Sequence, residues 1–498
     1  MSLRGSQLGT SRGLMLGGID LAPVLMVLGL LLSGLGLSML APALVDLVVE
    51  NRDWRAFLGS SAITLFCGMM LTLANWRMPL RFNVRQGFLM TALAWLTMSL
   101  FGSMPFMLAT TGLDFAAAFF ESVSGLTTTG ATVISGLERQ PPGILFWRCL
   151  LHWIGGIGII GMAIALLPAL RVGGMQLFRT ESSDTSEKGM NRIGELGLAI
   201  TAIYVTMTVV IALGYIAVGM SVFNAICHAF STVSTGGFSN WDTSLGHLDA
   251  AGLWMSTVGM MLGAMPFVLY VQVARGRPMD VVRDPQVQAL IGFLVSCWLV
   301  MALWQSLENG RPFLDALTAS AFNITSVVTT TGFASEDYTL WGSFPVLFFF
   351  LITFAGGCTG STSGGIKMFR YQVAYKVLSA NIRRRYMPNA VIVSTYGGRA
   401  IDEDVAVSVV LFFFATGATT AIIALALTMV GLDWVTALTG TAAAIGNVGP
   451  GLGTIVGPAG NYATLPDSAK WLLSLAMLMG RLEYFTLLVL FSRDFWKS

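Results

Sequence analysis

The chain has 498 residues, of which 55% are apolar and 11% charged, less than half the roughly 25% charge of soluble domains. That is too little charge for a water-exposed surface of this size, and the composition also excludes disordered, collagen-like and disulfide-rich secreted chains. Lys plus Arg is 28 and Asp plus Glu is 26, and so balanced a charge gives no pointer to nucleic acid.

Apolar runs long enough to cross a hydrocarbon core of about 30 Å need about 20 helical residues. In chain order they fall at 20–45, 56–75, 87–110, 143–170, 194–219, 249–273, 287–307, 405–431 and 468–491. A tenth run, 340–356, breaks at Gly356-Gly357 and resumes near Ile366. The first run is too long for the apolar region of a signal peptide. One alternating set of connections holds most of the basic residues, among them Arg4, Arg12, Arg77, Arg81, Arg171, Arg179, Arg383, Arg384 and Arg385. The other set holds only Arg52, Arg55, Arg139, Arg311 and Lys470. The positive-inside rule puts the basic set and both termini in the cytoplasm, and the alternation fits ten crossings. The outer side carries Asp46, Glu50, Asp53, Asp114, Glu121, Glu138, Asp242, Asp249, Glu308, Asp315, Glu336, Asp337, Asp433 and Asp467. Such an acidic face either concentrates cations at an outer mouth or merely reflects the avoidance of Lys and Arg there.

Four outer segments, 113–132, 222–240, 312–335 and 434–453, are too short and polar to span. Each opens as an amphipathic helix and closes in a Thr/Gly-rich stretch: Thr127-Thr128-Thr129-Gly130, Ser234-Thr235-Gly236-Gly237, Thr329-Thr330-Thr331-Gly332 and Gly446-Asn447-Val448-Gly449. The four glycines are spaced by 107, 95 and 117 residues, the mark of a fourfold repeat. Irregular backbone at membrane depth is tolerated only when it lines protein or water. Glycine permits the φ > 0 that turns carbonyls toward an axis, and rings of carbonyls replace a cation's water shell. Ordinary Gly/Thr-rich loops would explain one such stretch, but not four at matching places. The predicted fold is an all-α membrane protein: four tandem helix–pore helix–helix repeats around one pore, plus two extra N-terminal transmembrane helices. The expected divisions are 1–83 for the extension and 84–185, 186–283, 284–398 and 399–498 for the repeats.

Within the tenth run, Gly356-Gly357-Cys358-Thr359-Gly360-Ser361-Thr362-Ser363-Gly364-Gly365 is too glycine-rich for a continuous helix. It is either an intramembrane loop or a flexible helix connection. Arg481 lies inside the last span, where a charge usually faces a cavity or a partner. Glu483, about 200° around the helix, is a poor partner for it. Gly156-Ile157-Gly158-Ile159-Ile160-Gly161 matches a dinucleotide fingerprint, but no strand precedes it. It reads as close helix packing. Asn323 and His228 read as buried hydrogen-bonded groups on pore helices. Glu121 either holds the first Thr/Gly stretch or is exposed in the mouth. No nucleophile–base or metal constellation appears, so no enzyme is predicted.

In these stretches, and above all in 120–132, 356–367 and 446–453, the chain resembles the Trk/Ktr/HKT superfamily of potassium-translocating proteins, in its TrkH branch. The resemblance covers nearly the whole chain. It implies potassium uptake across the bacterial inner membrane, with K+ held in a filter of Thr128, Thr129, Gly130, Thr235, Gly236, Gly237, Thr330, Thr331, Gly332, Asn447, Val448 and Gly449. The fourth quarter departs from the pattern, with Asn-Val in place of Thr-Thr. Sodium-permeable relatives tend to carry Ser at the first of these glycines, so Gly130 implies potassium. The resemblance further implies a gate of Gly356, Gly357, Thr359, Gly360, Ser361, Thr362, Ser363, Gly364 and Gly365, with Arg481 as an electrostatic barrier. It also implies a cytoplasmic nucleotide-binding regulatory subunit of the TrkA kind, and a homodimer. The run Arg383-Arg384-Arg385 is a docking surface for that subunit or a contact for anionic lipid. A proton- or sodium-coupled secondary cation transporter is the alternative.

Overall fold

The computed structural model describes residues 15, 16, 18–76, 83–165 and 187–497. Arg4, Arg12, Arg77, Arg81, Arg171 and Arg179, assigned above to the cytoplasmic side, lie outside the described residues. Among those described, seven helices are long and apolar enough to cross a membrane, and two bent pairs raise the number to nine. Sheet among the described residues is limited to two short ladders, Met15–Leu16 with Ile19–Asp20 and Thr395–Tyr396 with Arg399–Ala400.

The chain forms an N-terminal pair, Ala22–Val48 and Trp54–Asn75, followed by four units of long helix, short helix, crossing segment and second helix. The N-terminal pair meets where both helices lack side chains. A Cβ on Gly29 would stand 2.7 Å from the Gly68 carbonyl oxygen, and one on Gly68 would stand 2.8 Å from that of Gly29. Small residues at such a crossing let two backbones touch. The pair is tied to the first unit by Asp46, which accepts from the Gly143 N–H at 2.7 Å, and by Asp53, which accepts from the Thr110 hydroxyl at 2.6 Å.

The four short helices are Phe115–Leu126, Val222–Val233, Phe313–Val328 and Trp434–Gly446. Three of their starts carry ordinary capping chemistry: Asp114 accepts from Ala117 N, Ser221 from Asn224 N and Asp433 from Thr436 N. Apart from Phe230, their inner halves are buried, so every polar group there needs an internal partner.

The second helices of the last three units depart from continuous spans. Ala250–Gly263 and Phe267–Ala274 meet at 93°, and Asp467–Arg481 and Tyr484–Phe491 at 111°. Pro266 stands at the first break, where it can neither donate to the helix ladder nor fit beside it; Glu483, with φ 58°, stands at the second. The tenth crossing is divided: Ser343–Ile352 is a helix of 10 residues, 353–367 is irregular, and Met368–Tyr386 is a polar helix ending in Arg383, Arg384 and Arg385. Apolar runs gave the spans, but a bend within a run leaves the hydropathy unchanged and so left no trace there.

Candidate functional site

The four crossing segments share one backbone conformation despite different side chains. In each, the glycine and the residue two before it have positive φ. The pairs are Thr128 (51°) with Gly130 (82°), Thr235 (50°) with Gly237 (86°), Thr330 (57°) with Gly332 (82°), and Asn447 (52°) with Gly449 (99°). The residue between them does not. Such alternation turns successive N–H groups to one side and the carbonyls to the other. A left-handed β-branched Thr is rare and costs about 1–3 kcal/mol, so it persists only where its surroundings impose it.

The segments close a cycle. A Cβ on Gly130 would lie 2.3 Å from the Gly236 carbonyl oxygen, and one on Gly237 would lie 1.8 Å from that of Thr331. The series continues with Gly332 at 2.0 Å from Val448 O and returns with Gly449 at 2.6 Å from Thr129 O. Each glycine therefore faces the carbonyl one residue before its neighbour's glycine, in the order first, second, third, fourth, first. A side chain at any of the four would strike backbone. Beside this ring, the Asn447 amide donates to Thr129 Oγ1 at 3.0 Å and to Met477 O at 2.9 Å, so Asn performs a bridging task that threonine cannot.

Each segment is held from behind by its own pore helix. Glu121, His228 and Asn323 all stand nine residues before their glycines. Glu121, fully buried, accepts from Val133 N at 2.9 Å and from the Thr132 hydroxyl. His228 pairs with the Ser239 hydroxyl at 3.0 Å, and Asn323 accepts from Ser335 N at 3.1 Å while donating to the Ser335 hydroxyl. In the fourth unit that position is Gly440, and the preceding Thr439 takes over, accepting from Leu452 N at 3.0 Å. The exposed reading of Glu121 is thereby excluded. Arg148 lies within the helix Pro142–Ala165. It donates to Glu121 at 2.8 Å and to Ser239 O at 2.9 Å, and covers the Phe238 ring at 4.1 Å, clasping the first and second units together. Its signal was an arginine and a glutamate both placed inside the apolar body.

Outside the ring lies a vestibule of about 460 Å³ lined by all four glycines. Of the 14 outer acids, only Asp242 lines it, and its carboxylate already accepts from Gly136 N and Leu137 N. Asp114, Asp249 and Asp433 cap helices, Glu336 pairs with Arg311 and Asp467 with Lys470. Many of these acids therefore have structural partners, while Asp242, Glu336 and Asp337 also line a neighbouring cavity of about 500 Å³.

On the other side of the ring the 356–365 stretch is irregular and mostly buried. Thr362 Oγ1 lies 3.1 Å from Val233 O, 2.9 Å from Gly263 O and 3.2 Å from Thr235 Oγ1. Gly364 N donates to Thr330 Oγ1 at 2.6 Å, and a Cβ on Gly364 would stand 2.5 Å from Gly446 O. The loop thus abuts the second, third and fourth pore-helix ends directly below the crossing segments. Its flanks are fastened by Cys358 N to Ala264 O, Thr359 N to Gln286 Oε1 and Met368 N to Gly357 O. Gly357, Gly360, Ser361, Ser363 and Gly365 fill the remaining turns, with Gly360 and Gly365 at positive φ. Arg481 ends its helix at the 111° bend, and lines a small cavity with Gly360, Ser361, Ser363, Gly364 and Gly365. Glu483 is not its partner; it is paired with Arg370. Lys367 and Arg370 were missed by the sequence reading because both belong to a stretch that reads as a cytoplasmic basic segment.

Gly156, in the discounted fingerprint, lies in the helix Pro142–Ala165, where its missing side chain admits the Tyr204 hydroxyl and Ser234. Its neighbour Gly155 faces the Leu126 carbonyl, as Gly263 faces Val233 O and Gly480 faces Ile445 O. Glycines on three second helices therefore seat the ends of three pore helices.

Four units of this kind from one chain, with their crossing segments closed into a ring and a loop beneath it, define a multi-span membrane protein of the four-repeat pore architecture. The comparisons with known proteins add the family. A model of the TrkH family, described as cation transport protein, matches residues 55–304 and 305–498, and the chain belongs to that family. The Trk system potassium uptake protein TrkI of Halomonas elongata is 46% identical over 479 residues, covering 96% of this chain and 97% of that one. The Trk system potassium uptake protein TrkH of Vibrio parahaemolyticus is 39% identical over 487 residues, covering 95% and 99%. A crystal structure of the potassium transporter TrkH from Vibrio parahaemolyticus matches with a TM-score of 0.89 at 35% identity, over 96% of this chain and 100% of that one.

Proposed function

We propose that this chain takes up potassium across a bacterial inner membrane, with K+ desolvated by the carbonyls of the four crossing segments. The observation that carries this is the closed cycle of glycine-to-carbonyl contacts, which sets four like-conformed segments around one centre. The filter comprises Thr128, Thr129 and Gly130; Thr235, Gly236 and Gly237; Thr330, Thr331 and Gly332; and Asn447, Val448 and Gly449. The names of the relatives as potassium uptake proteins support potassium as the ion.

The 356–365 loop is the gate, with Arg481 as a barrier below it. Contact with three pore-helix ends supports this role. Helix Met368–Tyr386 follows one residue after Lys367, so a force on its exposed end is delivered to the loop. A cytoplasmic nucleotide-binding subunit of the TrkA kind, docking near Arg383-Arg384-Arg385, would act there, with the chain paired as a homodimer. Both termini lie in the cytoplasm, and the repeats divide at 84–185, 186–283, 284–398 and 399–498 after the extension 1–83.

The test is growth of a potassium-transport-deficient bacterium on limiting potassium. The chain restores growth, and Gly130→Ser lowers the preference for potassium over sodium, because its side chain meets Gly236 O. Wild-type selectivity in Gly130→Ser would remove Gly130 from the filter. Uptake that stops when proton and sodium gradients are collapsed, at constant membrane potential, would favour coupled transport.

A further inference from the structure

Charge does not balance beneath the loop. Arg481, Lys367 and Glu483 line a cavity of about 30 Å³ together with loop residues and Phe412. The single carboxylate is taken by Arg370, whose guanidinium covers the Phe412 ring at 3.7 Å. The Lys367 ammonium donates to Ser363 O. Arg481 is 3% exposed, yet Nε, Nη1 and Nη2 reach no acceptor among the described residues. The Ser363 hydroxyl, on the same cavity, is also without a partner. A guanidinium presents five N–H donors and keeps its charge. A buried donor without an acceptor costs about 1–3 kcal/mol, more when charged, so buried charges are as a rule paired. Among the described residues, three cations here surround one carboxylate. A potassium ion is repelled from this cavity, and a neutral molecule answers the donors without answering the charge.

We propose that the cavity binds a small monovalent anion of chloride size, held by Arg481 with Lys367 as the second charge, and roofed by the loop. The proposal rests on the gate reading and deepens it. A cavity of 10–15 Å³ admits one water-sized particle, so about 30 Å³ takes a halide and refuses gluconate. The anion joins the bend of the fourth unit to the loop of the third and holds the loop in its obstructing place. Moving the loop unroofs the site and releases the anion.

The test uses the full-length protein in liposomes without its regulatory subunit, measuring basal rubidium efflux and thermal midpoint in chloride and in gluconate at equal ionic strength. Chloride lowers basal efflux at least about threefold and raises the midpoint saturably, as a ligand of one state does. Bromide gives an anomalous scattering peak beside Arg481. Arg481→Gln raises basal efflux and abolishes both chloride effects, and Lys367→Gln weakens chloride about tenfold, as loss of roughly one charge interaction would. Identical wild-type behaviour in chloride and gluconate, with no bromide peak, overturns the anion site even if Arg481→Gln raises efflux, in which case the gate stands. If efflux is unchanged in Arg481→Gln and in a chain lacking 356–365, the gate falls. A chloride-dependent midpoint lost in Arg481→Gln would then still establish the site.

Discussion

The crossing segments and the 356–365 loop are both glycine-rich, irregular and buried, and they are held in opposite ways. Each crossing segment is fastened by its own pore helix, through Glu121, His228, Asn323 or Thr439, and locked against its neighbour's backbone. The loop is bonded across to the second unit, at Val233, Gly263 and Ala264. A part fastened to its own support keeps its shape when units shift, whereas a part fastened across units loses several bonds together. On the proposed function, the same composition serves a fixed ring in one place and a movable plug in the other.

The largest expected effect sets one glycine against another. Gly237→Ala places a Cβ 1.8 Å from Thr331 O at φ 86° and should abolish potassium-dependent growth. Gly360→Ala in the loop meets nothing within 4 Å and costs only its φ of 78°, about 1 kcal/mol, with selectivity retained. Equal loss in both variants would erase the distinction. Next comes Arg148→Ala, which leaves Glu121 buried and unpaired and should cost about 3–5 kcal/mol, read as a fall in thermal midpoint; Arg148→Ala with Glu121→Gln should recover part of it. Asn323→Ala frees Ser335 N, a loss of about 1–3 kcal/mol, and should relax ion selectivity while leaving basal flux alone. Thr362→Val does the reverse, removing loop bonds worth about 0.5–1.5 kcal/mol and raising basal flux at unchanged selectivity. If either variant showed the other's phenotype, the two regions would not be separable. The smallest effect is at the outer rim. Hydrogen bonds from the Thr436 side chain and backbone hold the Asp433 carboxyl below its ordinary range. Its contribution is therefore present above the unfolded carboxylate range and is lost as pH falls through the lowered value. Asp433→Ala should cost about 1 kcal/mol at neutral pH and nothing at strongly acid pH, measured by stability against pH.

The four repeats were legible because each needs a Thr/Gly turn at membrane depth, and few sequences supply one. The loop was legible because ten residues with so many glycines cannot be helical. What holds these parts was less so. Glu121, His228 and Asn323 share a register that is plain once the glycines are aligned, but Glu, His and Asn share no chemistry that would draw them together, and Gly440 breaks the series. Arg148 could be read as costly but not as paired, because its carboxylate lies 27 residues away. The roles of the outer acids were not legible, because capping and pairing leave their count unaltered. The bends at Pro266 and Glu483 interrupt runs whose hydropathy does not change.

The ring closes between the last quarter and the first, through Gly449 against Thr129 O, Asn447 to Thr129 Oγ1 and Tyr462 N to Thr132 O at 2.8 Å. During synthesis the first three quarters enter the membrane before the fourth exists. On the proposed function, a growing chain has no complete ion path, and the cell is spared a leak until the fourth quarter has been made.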